Sequence, residues 1–143
     1  MKEKFIRFYM NVAAGVAGLS YARRLKVGAV VIKDDRIISI GYNGMPAGWD
    51  NNCEDVIVDG ISSQLKTKSE VLHAESNAIA KLAKSNESGD GADLFITHSP
   101  CIECAKLIYQ SGIKRVWFRE HYRSNDGLEF LEKSGVDVIK VDG

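Results

Sequence analysis

Apolar side chains at Phe5, Ile6, Tyr9, Val12, Ala13, Val16 and Leu19 recur at steps of three and four, the spacing that lines one face of a helix. This pattern predicts a helix over 3–19. The period then changes. Val27 to Ile32 and Ile37 to Tyr42 are apolar and rich in β-branched residues, and the polar run Lys33-Asp34-Asp35-Arg36 separates them, which reads as a β-hairpin. Gly41-Tyr42-Asn43-Gly44-Met45-Pro46-Ala47-Gly48 follows; its glycines and proline break regular structure and let backbone come close to a ligand. A loop is expected there, continuing through the polar stretch 51–69.

Helical spacing returns at Ala74, Ala78, Ile79 and Leu82 and stops at Ser85-Asn86-Glu87-Ser88-Gly89, so 71–84 reads as the second helix. Beyond it the chain reads as a strand over 93–98, a helix over 100–111 closed by Gly112, a strand over 114–119, a helix over 125–134 closed by Gly135, and a last strand over 136–141. Strands joined through single helices run parallel with right-handed crossovers. The expected fold is therefore α/β, a three-layer α-β-α domain over 1–143 with a mixed five-stranded sheet, its hairpin forming the antiparallel edge of an otherwise parallel sheet.

Composition narrows the function classes. With 143 residues, 45% of them hydrophobic, the chain suits one domain with one core. It holds no apolar run long enough to span a membrane, and its charged start lacks the form of a secretion signal; a cytoplasmic protein is expected. Nineteen basic residues against nineteen acidic ones give no net charge, which disfavours nucleic acid as a partner. The cysteines, Cys53, Cys101 and Cys104, are an odd number without disulfide-framework spacing, so the close pair reads as metal ligands or a redox centre.

His73-Ala74-Glu75 opens the second predicted helix and Pro100-Cys101-Ile102-Glu103-Cys104 opens the third. One histidine and two cysteines supply three zinc ligands and leave the fourth tetrahedral position for water, the arrangement of a catalytic site. The first turn of a helix favours thiolate, the form that binds metal. Residues two apart on a helix diverge, so Glu75 is expected beside the water as an acid-base group and His73 at the metal. This pairing of H-x-E with P-C-x-x-C is the signature of zinc nucleobase deaminases. Taken alone, the C-x-x-C is equally a redox pair or half of a structural zinc site, and Glu75 an ordinary acidic first-turn residue. His98 and His121 read as plain polar residues near strand ends, and Cys53 as a free thiol.

From Ser20 to Val141 the chain resembles the deoxycytidylate deaminase branch of the cytidine deaminase superfamily. The resemblance rests on Lys26-Val27-Gly28-Ala29-Val30-Val31, Ile37 to Gly48, His73-Ala74-Glu75-Ser76-Asn77-Ala78-Ile79 and Pro100-Cys101-Ile102-Glu103-Cys104-Ala105-Lys106, and the length is similar to compact bacterial and bacteriophage members. It implies one zinc per chain on His73, Cys101 and Cys104, and hydroxide at the zinc attacking C4 of cytosine while Glu75 shuttles protons. The product would be dUMP for thymidylate synthesis. It further implies substrate contacts from Asn43 to the deoxyribose hydroxyl, from the Ala74 N–H to the base carbonyl, and from Tyr122 and Ser99. Arg24 and Lys26 are candidates for the phosphate, which needs fixed cationic donors. The same branch implies a hexamer switched on by dCTP, with Mg2+ accompanying it, and off by dTTP. Gly41, Tyr42, Asn43 and Gly44 are the effector candidates. A second, structural zinc is not expected, because Ala22 stands where many relatives have cysteine and 51–69 lacks the needed ligands. Rival readings are a deaminase of dCTP or another cytosine nucleotide, a tRNA adenosine deaminase, and a zinc-stabilised binding module; the first differs only in how the phosphate end is read, zero net charge weighs against the second and Glu75 against the third.

Overall fold

The computed structural model describes residues 1–142. Helix α1, Glu3–Ala17, ends at Gly18, shortly before the apolar pattern runs out. Strands β1 (Gly28–Lys33) and β2 (Arg36–Tyr42) form the expected hairpin. Asp34 and Asp35 both take left-handed backbone, φ 52° and 59°, as a two-residue turn matching the strand twist requires. Between β2 and the second helix, where a long loop was expected, the chain builds a second hairpin, β3 (Glu54–Asp59) and β4 (Ser62–Thr67). Its signal is present in the sequence: Val56-Ile57-Val58 is β-branched, and the two-residue turn Gly60-Ile61 puts a glycine at its first position, φ 64°. Helix α2 follows at Ala74–Ala83, then β5 (Asp93–His98), α3 (Ile102–Gln110), β6 (Arg115–Glu120), α4 (Asp126–Lys133) and β7 (Asp137–Lys140).

The main sheet has the order β2-β1-β5-β6-β7, and the expected three-layer arrangement with a mixed five-stranded sheet is observed. The hairpin does form one edge of the sheet, but the strand that runs against the rest is not the outermost one. β1 is antiparallel to both β2 and β5, while β5, β6 and β7 are mutually parallel, so edge strand β2 runs with β5 and the one reversed strand, β1, lies inside. Burial explains the placement. Ala29, Val30, Val31 and Ile32 are covered on both faces, as an inner strand must be, whereas β2 alternates and begins exposed.

Right-handed crossovers that step in one direction, from β2 over β1 to β5, then β6, then β7, put their helices on one face. There α2, α3 and α4 pack Ala78, Leu82, Ala105, Ile108, Leu128 and Leu131 on Ala29, Val31, Leu94, Ile96, Val116 and Phe118. Helix α1 covers the other face, with Tyr9, Met10, Ala13 and Val16 on Val30, Ile32, Phe95 and Trp117. Because β2, β5 and β6 run the same way, α2, α3 and α4 all begin at the end of the sheet where those strands finish, the place where α/β sheets bind ligands.

Two glycines set how close these helix starts come. A Cβ on Gly41 would overlap Ala74 O and Ala78 N of α2, and one on Gly127 would overlap Pro100 O and lie 2.9 Å from the Cys101 carbonyl carbon. In both cases the obstacle is backbone, which cannot swing away. We predict that Gly41→Ala and Gly127→Ala each lower unfolding free energy by about 1–3 kcal/mol, read as a lower urea midpoint, whereas Gly48→Ala, with open space around it, suffers only the strain of its left-handed backbone.

Candidate active site

At the shared end of the sheet, His73 is the N-cap of α2 and Cys101 the N-cap of α3. Both caps have extended backbone, φ/ψ −79°/155° and −71°/169°, which turns their side chains away from the helix that follows and toward each other. His73 Nδ1 lies 3.6 Å from Cys101 Sγ and 3.3 Å from Cys104 Sγ, and the three ligand atoms all fall within 4.8 Å of one another. A tetrahedral zinc with ordinary bond lengths places nitrogen and sulfur ligands about 3.5 Å apart, so the donor set fits zinc in kind and spacing. The Cys104 N–H also points at Cys101 Sγ, 3.5 Å away, as the free N–H groups of a helix start do.

The thiols share their protons unequally when no ion neutralises them. Cys101 is drawn down to about 3 by the Cys104 thiol and by His73, while Cys104 is pushed up by the same pairing and by burial. The bond to Cys101 raises the His73 imidazole in turn. Thus the pair already stores one negative charge for a cation. Glu75, adjacent to Ala74 and 4% exposed, has its carboxyl pushed by burial to about 7, a value suited to passing a proton at neutral pH.

These groups form one wall of a cavity of about 490 Å³, within the roughly 300–1,000 Å³ typical of small-molecule sites. Asn43, Val27, Arg24, Glu54, Thr67 and Val71 line one flank; His98, Ser99, His121, Tyr122 and Arg123 line the other. The Ala74 N–H, in the first turn of α2, has no intrahelical partner, and Ala74 also lines the cavity.

The model of the cytidine and deoxycytidylate deaminase zinc-binding region matches residues 3–120. A crystal structure of the dCMP deaminase of cyanophage S-TIM5 in complex with dCMP and dUMP superposes with a TM-score of 0.90 at 45% identity, covering 99% of each chain. The ComE operon protein 2 of Bacillus subtilis is 37% identical over 95% of this chain and 70% of its own length, and the deoxycytidylate deaminase of Enterobacteria phage T4 is 35% identical over 81% and 79%. The chain belongs to the cytidine and deoxycytidylate deaminase family.

The residues singled out in the sequence divide between the cavity and its surroundings. His73, Cys101 and Cys104 cluster, and His73, Glu75, Cys101, Asn43, Ala74, Ser99, Tyr122 and Arg24 line the cavity while Cys104 is buried behind it; Lys26 is exposed and does not line it. The Asn43 side chain accepts from the Val27 N–H at 2.8 Å and donates to Leu25 O at 2.7 Å, so it holds the loop before β1 and retains one lone pair and one N–H for a ligand. The Ser99 hydroxyl accepts from the Tyr122 N–H at 2.7 Å and fixes that tyrosine's backbone. Gly41, Tyr42 and Gly44 lie outside the cavity lining. Gly41 is there for close packing on α2, Tyr42 O accepts from Asn77 Nδ2, and Gly44 bridges to Leu72.

Among the lining residues that the sequence reading did not place in the site are the polar side chains of Glu54, Thr67, His98, His121 and Arg123. The two histidines were read as plain strand-end residues, yet both face the cavity because they sit where β5 and β6 finish. Position at those ends was the available signal. His98 Nδ1 lies 2.9 Å from Thr97 Oγ1, which also accepts the Gly28 N–H, so the ring is tied to the strand beside the start of β1.

Chelator-stripped protein should rebind one zinc per chain. Loading should add about 4 kcal/mol of unfolding free energy at free zinc roughly 1,000-fold above its Kd, measured by urea titration with metal analysis; Cys104→Ser should lose both the zinc and the gain.

Proposed function

We propose that the chain, as one zinc-dependent deaminase domain over residues 1–143, hydrolyses dCMP to dUMP and ammonia, supplying dUMP for thymidylate synthesis. The observation that carries this reading is the meeting of His73 Nδ1 with the Cys101 and Cys104 sulfurs at the wall of a nucleotide-sized cavity, with a buried carboxyl, Glu75, beside them. The high overall likeness to a dCMP deaminase that holds dCMP and dUMP supports the choice of substrate.

When bound to His73, Cys101 and Cys104, zinc supplies a water whose pKa falls to about 7. Glu75 takes the proton released as the water oxygen adds to C4 of cytosine. It would deliver that proton to N3, then take the proton of the new C4 hydroxyl and pass it to the amino group, so that the C4–N bond breaks, ammonia leaves and the C4 carbonyl forms. Burial raises the Glu75 carboxyl above the ordinary glutamate value, which favours its taking up a proton and holding it for transfer. The Ala74 N–H meets the base carbonyl, Asn43 uses its remaining donor and acceptor on the deoxyribose hydroxyl, and Tyr122, steadied by Ser99, closes the far flank. Arg24 takes the phosphate; Lys26, exposed and away from the cavity, serves less well.

In the same reading the protein is cytoplasmic, host cytoplasm if the source is viral, and a homo-oligomer, a hexamer as in its branch. No helix among the described residues is long and apolar enough to cross a membrane, and all three cysteines are free, as a reducing compartment requires. Val58 and Ile61 on the β3–β4 hairpin are 71% and 110% exposed, apolar surface that neighbouring subunits would cover. Regulation by dCTP with Mg2+ and by dTTP belongs to this reading too, through the segment Gly41 to Gly44 packed on the start of α2.

Glu75→Ala should bind zinc normally and lose about 10²–10⁴-fold in turnover of dCMP, scored as ammonia release; an unaltered rate would remove Glu75 from the chemistry. Initial rates on dCMP should rise with dCTP and fall with dTTP, and rates indifferent to both at saturation would exclude regulation while leaving the deaminase intact.

A further inference from the structure

The segment of the cavity flank that carries Arg24 has no secondary structure of its own. Residues 21–26, among those described, take part in no backbone–backbone hydrogen bond. Side chains hold them instead. The Ser20 hydroxyl accepts from the Ala22 N–H and donates to Asn43 O, and Asn43 clips Leu25 and Val27. At the centre sits Glu54, the first residue of β3. Its Oε2 accepts from the Arg23 N–H at 2.8 Å and the Arg24 N–H at 3.1 Å, and its Oε1 from Arg23 Nε at 3.3 Å.

Glu54 is 1% exposed, and a carboxylate so buried is costly unless fully partnered. Burial raises its pKa, but the two backbone N–H groups and the Arg23 guanidinium outweigh that and hold it below the ordinary glutamate value. Arg23 is spent on this anchor: its Nη2 also bonds Asn52 Oδ1 and Glu54 O. Arg24 is not. Its guanidinium makes one bond, Nη1 to Thr67 Oγ1 at 3.2 Å, leaving four of the five N–H donors of an arginine at the mouth of the cavity it lines. One carboxylate thus grips the backbone of both arginines, consumes the side chain of the first, and leaves the second free.

We propose that Glu54 is a positioning residue for substrate recognition, setting Arg24 against the 5′-phosphate of the nucleotide by pinning its backbone. The inference rests on the reading of Arg24 as the phosphate contact. A charged anchor suits this role, because a loop that lacks a ladder cannot place a guanidinium to within a fraction of an ångström, whereas charge-assisted bonds to two successive N–H groups fix both peptide planes.

Steady-state rates with dCMP and with deoxycytidine, which lacks the phosphate, separate positioning from general damage. In zinc-loaded Glu54→Gln, KM for dCMP should rise about tenfold with kcat within about twofold, kcat/KM for deoxycytidine should stay within about twofold, and adding the change to Arg24→Met should cost nothing further on dCMP. Equal losses on both substrates, or an unchanged KM for dCMP, would overturn the proposal. Should Glu54→Gln fail to bind zinc or unfold cooperatively, Glu54→Asp keeps the charge beside Arg23 while drawing it back from the two N–H groups; the same split on KM is expected and the same equal losses refute it. A different result, Arg24→Met without preferential loss on dCMP, would remove instead the assignment of Arg24 to phosphate.

Discussion

The approach of two helix starts at one end of the sheet is the constraint from which the site follows. A helix start offers unpaired N–H groups and a positive dipole end, so a cysteine placed there is held toward thiolate. One such end makes a reactive thiol; two brought together, with a histidine capping one and cysteines opening the other, make a site that a divalent cation completes. The separation of 3.3 to 3.6 Å between His73 Nδ1 and the two sulfurs is therefore the distance on which everything else turns. Parallel running of β2 and β5 brings the helices to the same edge, and Gly41 and Gly127 let backbone pack on backbone where a methyl group would hold the elements apart. Glycine in the Gly-Tyr-Asn-Gly segment thus has a packing reason that stands whether or not an effector binds there.

A site built this way separates chemistry from selection. His73, Glu75, Cys101 and Cys104 cap or open helices packed on the central sheet, where the neighbouring core residues are almost without exposure and displacements are costly. Groups suited to reading the sugar and phosphate lie instead on irregular segments: 20–27 before β1, the ends of β3 and β4, and 121–123 after β6. These segments are tied by side chains, chiefly Ser20, Asn43, Glu54 and Ser99. None of these ties involves His73, Cys101, Cys104 or Glu75.

This division also explains what could be read in advance. Helices and strands of the main sheet were legible because burial imposes a period on the sequence, and the zinc triad because His-x-Glu and Cys-x-x-Cys place their chemistry at helix starts, which apolar spacing locates. The β3–β4 hairpin was read as loop because its strands have little core to face: Val56, Ile57 and Val58 are exposed, so no alternation marked them, and Gly60 at the turn was the remaining sign. The reversal of β1 was hidden for another reason. Local pattern shows that two strands form a hairpin but not which of them pairs onward, and that choice is made by which strand can be covered on both faces.

Glu54 shows the limit most clearly. In the sequence it is one acidic residue among nineteen, within a polar stretch, with no partner at helical or strand spacing. Its partners are thirty and thirty-one residues away and are mostly backbone N–H groups, which every residue but proline carries and which no pattern distinguishes. A side chain that binds backbone leaves no complementary residue type elsewhere to betray it. Arg23 and Arg24 look alike in sequence for the same reason, and only the fold reveals that one neutralises a buried carboxylate while the other keeps its donors for solvent or ligand. Adjacent like charges beside a cavity are therefore poor guides to which one is available: the anchored member is recognised by the carboxylate that has taken its donors, and the other by the N–H groups it still has to offer.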